Sequence, residues 1–216
     1  MSKTRKKPSK KSDIDLGILE SYIVKKFDTE SRLQECFGMF VKFPDVKYFI
    51  TGGPVCSERF TSDNFTAVCI GPTQVEISQG LNLINYVGTA VATQFSGEDF
   101  HAMVAVDFLS SYLKEHLEEM DSPKSLAVEF IIFDHVGDKL MIVSFNGDYA
   151  IYDLEHGTRN IMWVGGYQNE NPNLSKDLVK LVTQEMTNDQ MRAITLKLKD
   201  KYKISTATIY YEKREN

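Results

Sequence analysis

What most constrains this chain is the order in which its hydrophobic period changes. A period near 3.6 appears in two adjacent stretches, 73–95 and 96–119, and again in 172–186 and 187–202, while the residues before, between and after these pairs are β-rich. Strands and helices therefore come in blocks. Simple β-α alternation, and with it a doubly wound parallel sheet, does not fit.

In the first helical pair, Ile77, Leu81, Ile84, Gly88, Val91 and Phe95 make one stripe. Phe100, Val104, Phe108, Leu109, Leu113 and Leu117 make the second, with Ser96 as its N-cap and Asp99 in its first turn. Gly80 and Gly88 each lower helix propensity by roughly 1 kcal/mol, so packing has to hold that segment. In the second pair, Asn171-Pro172 supplies a cap and a first-position proline ahead of Leu174, Leu178, Leu181, Val182 and Met186. Thr187 with Gln190 forms a capping box ahead of Met191, Ile194, Leu198 and Tyr202.

Strands are expected at 37–42 and 46–51 around Pro44-Asp45, and at 65–70 before Gly71-Pro72. A meander follows at 127–133, 139–145 and 148–153, with further strands at 159–164 and 206–211. Asn146-Gly147 reads as a tight hairpin with both residues at positive φ. A further helix is expected at 14–26 from Ile14, Ile18, Leu19 and Ile23. The order predicts an α+β protein in which two sheets pack face to face, each covered outside by a helix pair: a four-layer αββα sandwich. The expected organisation is a basic tail at 1–12, a helix or propeptide-like segment at 13–35 and one domain at 36–216.

Charge divides the chain. Six lysines and arginines and no acid fall in residues 1–11, so of 25 basic side chains 19 remain against 30 acidic ones, a net of −11 for the body. Such a body repels phosphate backbones, so any polyanion contact would belong to residues 3–11. Mean hydropathy is −0.27 and no long apolar run occurs, so no membrane span is expected. The basic start leads into Ser12-Asp13-Ile14-Asp15 rather than an apolar segment with a cleavage site, which predicts an intracellular protein, cytoplasmic or nuclear.

Common chemistries leave no trace. The chain has no phosphate-binding glycine loop of the G-x-x-x-x-G-K-[ST] form, no H-E-x-x-H and no G-x-S-x-G. Cys36, Cys56 and Cys69 form no C-x-x-C pair, and His101, His116, His135 and His156 are scattered, so no structural metal and no cofactor is expected. Gly52-Gly53-Pro54 and Gly165-Gly166 read as turn glycines, and the acidic group Glu115, Glu118 and Glu119 as a solvated helix end.

Several strings resemble the proteasome-type N-terminal-nucleophile hydrolases, the proteasome subunits and the related bacterial HslV peptidase. Phe40-Val41-Lys42-Phe43-Pro44 followed by Tyr48-Phe49-Ile50-Thr51-Gly52 is similar to the first hairpin of proteasome β subunits. Residues 128–132 and 139–149 resemble the family's central meander, and Val164-Gly165-Gly166 falls where the family has a Gly-Ser-Gly. The resemblance spans residues 36–211.

It implies a nucleophile at Cys36, freed by cleavage so that its own amine acts as base. It puts the family's activating lysine at Arg59, its structural aspartate at Gly53, its later serine at Gly165 and a late helical aspartate at Asp200. Arginine holds its proton too firmly to replace the lysine, and Gly53 and Gly165 bring no side chain. Glu35 stands where the processing site has glycine.

The expectation is therefore a non-catalytic, proteasome-like pseudoenzyme. It would self-associate, or join related subunits, through the 73–119 helix pair and retain its N-terminal helix. The alternatives are a cysteine peptidase or amidohydrolase activated by cleavage before Cys36, with Arg59 and Asp200 assisting, and a polyanion or nucleic-acid binder acting through the tail.

Overall fold

The computed structural model describes residues 16–94, 101–119 and 126–213, with side chains from residue 23 onward and not those of 91–94 and 101. The tail at 1–12, Ile14, Ser96, Asp99 and Phe100, together with the side chains of Ile18, Leu19, Val91 and Phe95, lie outside this description. The described chain is an α+β protein with two antiparallel sheets. In order it runs α1 (Leu16–Leu33), β1 (Phe37–Lys42), β2 (Val46–Gly53), β3 (Glu58–Thr61), β4 (Phe65–Ile70), α2 (Gln74–Gln94) and α3 (His101–Glu118). There follow β5 (Glu129–Asp134), β6 (Lys139–Val143), β7 (Tyr149–Asp153), β8 (Asn160–Gly165), α4 (Tyr167–Glu170), α5 (Pro172–Leu181), α6 (Asn188–Tyr202) and β9 (Thr206–Lys213). Sheet order is β8-β1-β2-β9 in one and β3-β4-β5-β6-β7 in the other.

The inner strands β1, β2, β4, β5 and β6 are apolar at most positions because both of their faces are buried. Phe65, Ala67 and Cys69 of β4, Phe130 and Ile132 of β5, and Met141 and Val143 of β6 face Ile84, Val87, Val106 and Leu109 of α2 and α3. Phe37, Met39 and Val41 of β1 and Tyr48 and Ile50 of β2 face Leu174, Leu178, Ile194 and Leu198 of α5 and α6. The alternate residues Phe40, Phe49, Val68, Ile131, Phe133 and Leu140 meet each other in a third cluster. A strand period of two thus feeds three separate cores.

The local chemistry accounts for the boundaries. Thr187 Oγ accepts from Gln190 N–H, and Gln190 Oε1 accepts from Thr187 N–H at 2.8 Å, so the capping box forms. Gly80 and Gly88 are spacers: a Cβ on Gly80 would stand 2.5 Å from Cys69 Sγ, and one on Gly88 2.4 Å from Phe60.

Other expectations are corrected. Pro172 does open α5, but Asn171 makes no side-chain cap; its amide donates to Tyr167 O instead. α5 stops at Leu181, so Val182 packs inward from an extended position while Leu181 stays exposed. Phe108 is 40% exposed, one residue off the buried line of Val106 and Leu109. At Asn146-Gly147 only Gly147 takes positive φ. The turn closes through Gly147 N–H to Ser144 O, a type I turn with a bulge rather than a two-residue turn. Gly52 and Gly53 lie within β2 rather than in a turn. β3 was not anticipated, since Glu58-Arg59-Phe60-Thr61 is short and half polar. α1 extends to Leu33, past the expected residue 26.

Candidate functional site

Cys36 sits where α1 turns into β1. Its own N–H donates to Leu33 O at 3.0 Å, and its carbonyl accepts from Gly166 N–H and Tyr167 N–H, both at 3.1 Å. The register Phe37↔Gly52 and Phe37↔Gly165 brings the neighbouring strands against it. Gly53 and Gly165, the positions the resemblance links to a nucleophile, therefore do converge on Cys36. Both work there as space. A Cβ on Gly53 would lie 3.3 Å from Cys36 Sγ, and one on Gly165, where φ is +78°, would strike Cys36 O at 2.3 Å.

The thiol is 1% exposed, and burial, followed by the negative charges of Glu35, Glu129 and Glu76, pushes its pKa up to about 12. At neutral pH roughly one thiol in 10⁵ is then ionised. Its nitrogen is an amide and carries no basic lone pair. Beside it lies a cavity of about 10 Å³ lined by Thr51, Ser57, Ile70, Ile77, Thr206 and Thr208. That is room for one water, not for a peptide.

Arg59 and Asp200 are not brought to this point. Arg59 is exposed on β3, with its guanidinium 5.0 Å from the Tyr210 ring centroid. Asp200 is exposed on α6, and neither residue lines the Cys36 cavity. On the same outer helices it is Asp177 that gathers partners, from Lys197 and Lys201 at 3.0 and 2.8 Å and from Tyr202 at 2.9 Å. Hydrogen bonds from Lys201, Lys197 and Tyr202 hold its carboxyl below the usual range.

Polar groups that sequence reasoning missed surround Cys36 instead. Glu129 Oε2 accepts from Gly165 N–H at 2.7 Å, and burial raises the Glu129 pKa while that bond lowers it less. Glu76, 7% exposed, accepts from Arg32 at 2.6 Å, from Thr73 Oγ at 2.7 Å and from Ala127 N–H at 3.1 Å. Thr51 and Ser57 hydroxyls lie 2.6 Å apart, and Tyr210 O–H donates to Ser57 O at 2.7 Å. The one local signal that could have found any of them is Thr73-x-x-Glu76, a capping pattern ahead of α2, and it says nothing of Arg32.

A second region lies where the β1–β2, β3–β4 and β5–β6 turns meet the 155–158 loop, around an open cavity of about 970 Å³. Two clasps line it. Lys42 pairs with Asp138, and Glu212 bonds Lys47 at 3.2 Å and His135 at 3.5 Å. Burial pushes Glu212 up, but hydrogen bonds from His135 and Thr66 and the Lys47 charge outweigh it and bring its pKa down to about 2.

Among the described residues no helix is long and apolar enough to cross a membrane, and no group of three or more His, Cys, Asp or Glu side chains could hold a metal. No family model matches the chain, and no curated protein matches it in sequence.

Proposed function

We propose that this chain is a non-catalytic, proteasome-like subunit, an intracellular structural or assembly component of an oligomer built on the αββα sandwich. The three cores, one between the sheets and one between each sheet and its helix pair, support the four-layer reading. The state of Cys36 carries the functional one. In the continuous chain it has an amide nitrogen, a thiol pKa near 12 and space for a single water, and the neighbouring positions 53 and 165 are glycine. Cysteine chemistry needs a thiolate and an approach path, and this site offers neither.

Retention of α1 fits the same reading. Arg32 ties it to Glu76 of α2, Lys25 donates to the Glu119 carbonyl after α3, and Leu33 packs with Ala127 and Phe145. The helix face proposed for assembly carries Tyr86, Phe108 and Tyr112 exposed by 40% or more, with the Tyr86 and Phe108 rings 6.2 Å apart. Aromatic residues of this kind are the usual anchors of protein interfaces.

The test is the intact mass of the purified chain together with its native mass. The proposal expects an uncut chain in a defined oligomer that Tyr86→Glu disperses and Cys36→Ala leaves unchanged. A mature chain beginning at Cys36, with cleavage lost in Cys36→Ala, would replace it with a cysteine N-terminal-nucleophile hydrolase.

A further inference from the structure

The sheet edges are protected unequally. β3 carries Glu58 and Arg59, β9 ends in Glu212 and Lys213, and β8 is half-buried along most of its length. β7 carries a single terminal acid and neither lysine nor arginine. Tyr149, Ile151 and Tyr152 are 43%, 41% and 36% exposed, and the sole charge, Asp153, is already paired with Lys139 at 3.5 Å. Tyr149 and Ile151 lie on the sheet face covered by α2 and α3, and Tyr152 on the face toward the other sheet, so β7 overhangs both layers. Among the described residues no strand pairs with its outer side. Past the bulge at Gly147, an apolar edge without lysine or proline is a template for another strand.

The hairpin decides which backbone groups point outward. Ser144 N–H donates to Asp148 O at 2.8 Å, which makes 144 and 148 a hydrogen-bonded pair. Alternation along the antiparallel ladder then makes Ile142↔Ala150 and Leu140↔Tyr152 hydrogen-bonded pairs. The N–H and C=O groups of Tyr149, Ile151 and Asp153 therefore face away from β6. They form a row of donors and acceptors centred on Ile151.

We propose that this edge binds β7 of a second copy of the chain, antiparallel, with a two-fold axis at Ile151, so that two five-stranded sheets become one. In that register Ile151 meets Ile151, Tyr149 meets Asp153, and all three outward residues exchange bonds. No acid faces an acid. Sliding by two residues strands one of the three pairs, so a single alignment satisfies the row. The strand thus meets itself in hydrogen-bond phase, with its apolar centres together and its two acids at opposite ends of the ladder, an isologous contact that a second copy provides. This dimer uses a surface remote in sequence from the α2–α3 face and does not rest on the proposed function.

The experiment uses the full chain with Cys56→Ser, which removes the exposed thiol. Facing residues of a hydrogen-bonded antiparallel pair have Cα atoms about 5.5 Å apart, within disulfide reach, so Ile151→Cys is expected to link two copies under mild oxidation. Ala150→Cys, which faces residue 152 of the second copy and stands about 8 Å from its own counterpart, is expected not to link. With Tyr86→Glu also present, so that helix-face assembly does not contribute, Ile151→Lys, a substitution at an exposed position, is expected to reduce the native mass from dimer to monomer. Tyr86→Glu should leave the Ile151→Cys link intact, which separates this interface from any helix-face assembly. Equal linking at 150 and 151, no link at 151, or a dimer unaffected by Ile151→Lys would each overturn the proposal.

Discussion

Glu129 reaches from the first position of β5 in one sheet to the backbone N–H of Gly165 in the other, at 2.7 Å, and so joins the sheets beside Cys36. The bond offsets part of the cost of burying a carboxylate there. Burial still dominates, and the Glu129 pKa lies above its ordinary value of 4.5.

A raised carboxyl pKa means that the folded protein holds a proton which the unfolded chain has released. Stability from this group therefore falls as pH rises above 4.5 toward the folded value. Glu129→Gln keeps an acceptor for Gly165 without the charge, and is expected to flatten the pH dependence of urea unfolding above pH 5 and to leave the protein at least as stable at pH 7.5. Glu129→Ala is expected to lie about 1–2 kcal/mol below Gln, because Gly165 N–H loses its partner.

Glu212 carries the opposite sign. With its pKa brought from 4.5 to about 2, its contribution is complete above pH 4.5 and lost as pH falls through 2. Glu212→Gln is expected to cost about 1 kcal/mol at pH 7, discounted because the group is partly solvated, and nothing near pH 2. Chemical unfolding at a series of acid pH values reads this directly.

The three thiols should separate by reactivity. Cys56 is exposed, whereas Cys36 and Cys69 are buried and burial raises both of their pKa values. A disulfide reagent at pH 8 is expected to titrate one thiol in the native protein, none after Cys56→Ser, and the remaining two only in denaturant. Fast labelling of Cys36 in the native chain would contradict the closed site.

Gly80→Ala should destabilise although it raises helix propensity. The added methyl would stand 2.5 Å from Cys69 Sγ, and Cys69 is fixed in β4 within the core. Overpacking outweighs the gain of roughly 1 kcal/mol in propensity, so a net loss of about 1–2 kcal/mol is expected. Cys69→Ala in the same chain is expected to recover most of it, measured as a double-mutant cycle by thermal unfolding.

Helix and strand identity was legible wherever a side-chain period was long or a turn residue was specific. The stripe through Ile77 and Ile84, the Thr187 and Gln190 box and the run Phe65–Ile70 each declare their element because the reason lies within a few residues of chain. The hairpin that returns β2 beside β1 was legible too, from the two β-rich runs around Pro44-Asp45. The positions of Arg59 and Asp200 were not, since a count along the chain does not say which way a side chain faces.

What the sequence determined by itself is local: the blocks of helix and strand, the caps, and the apolar runs that require both faces of each sheet to be covered. Tertiary structure alone decided that Arg32 meets Glu76, that Glu129 reaches Gly165 and that Cys36 is sealed. It also left β7 overhanging both neighbouring layers. Those outcomes depend on pairings such as Arg32 with Glu76 and Glu129 with Gly165, 44 and 36 positions apart, or on where a sheet outruns its cover, and no local pattern encodes either.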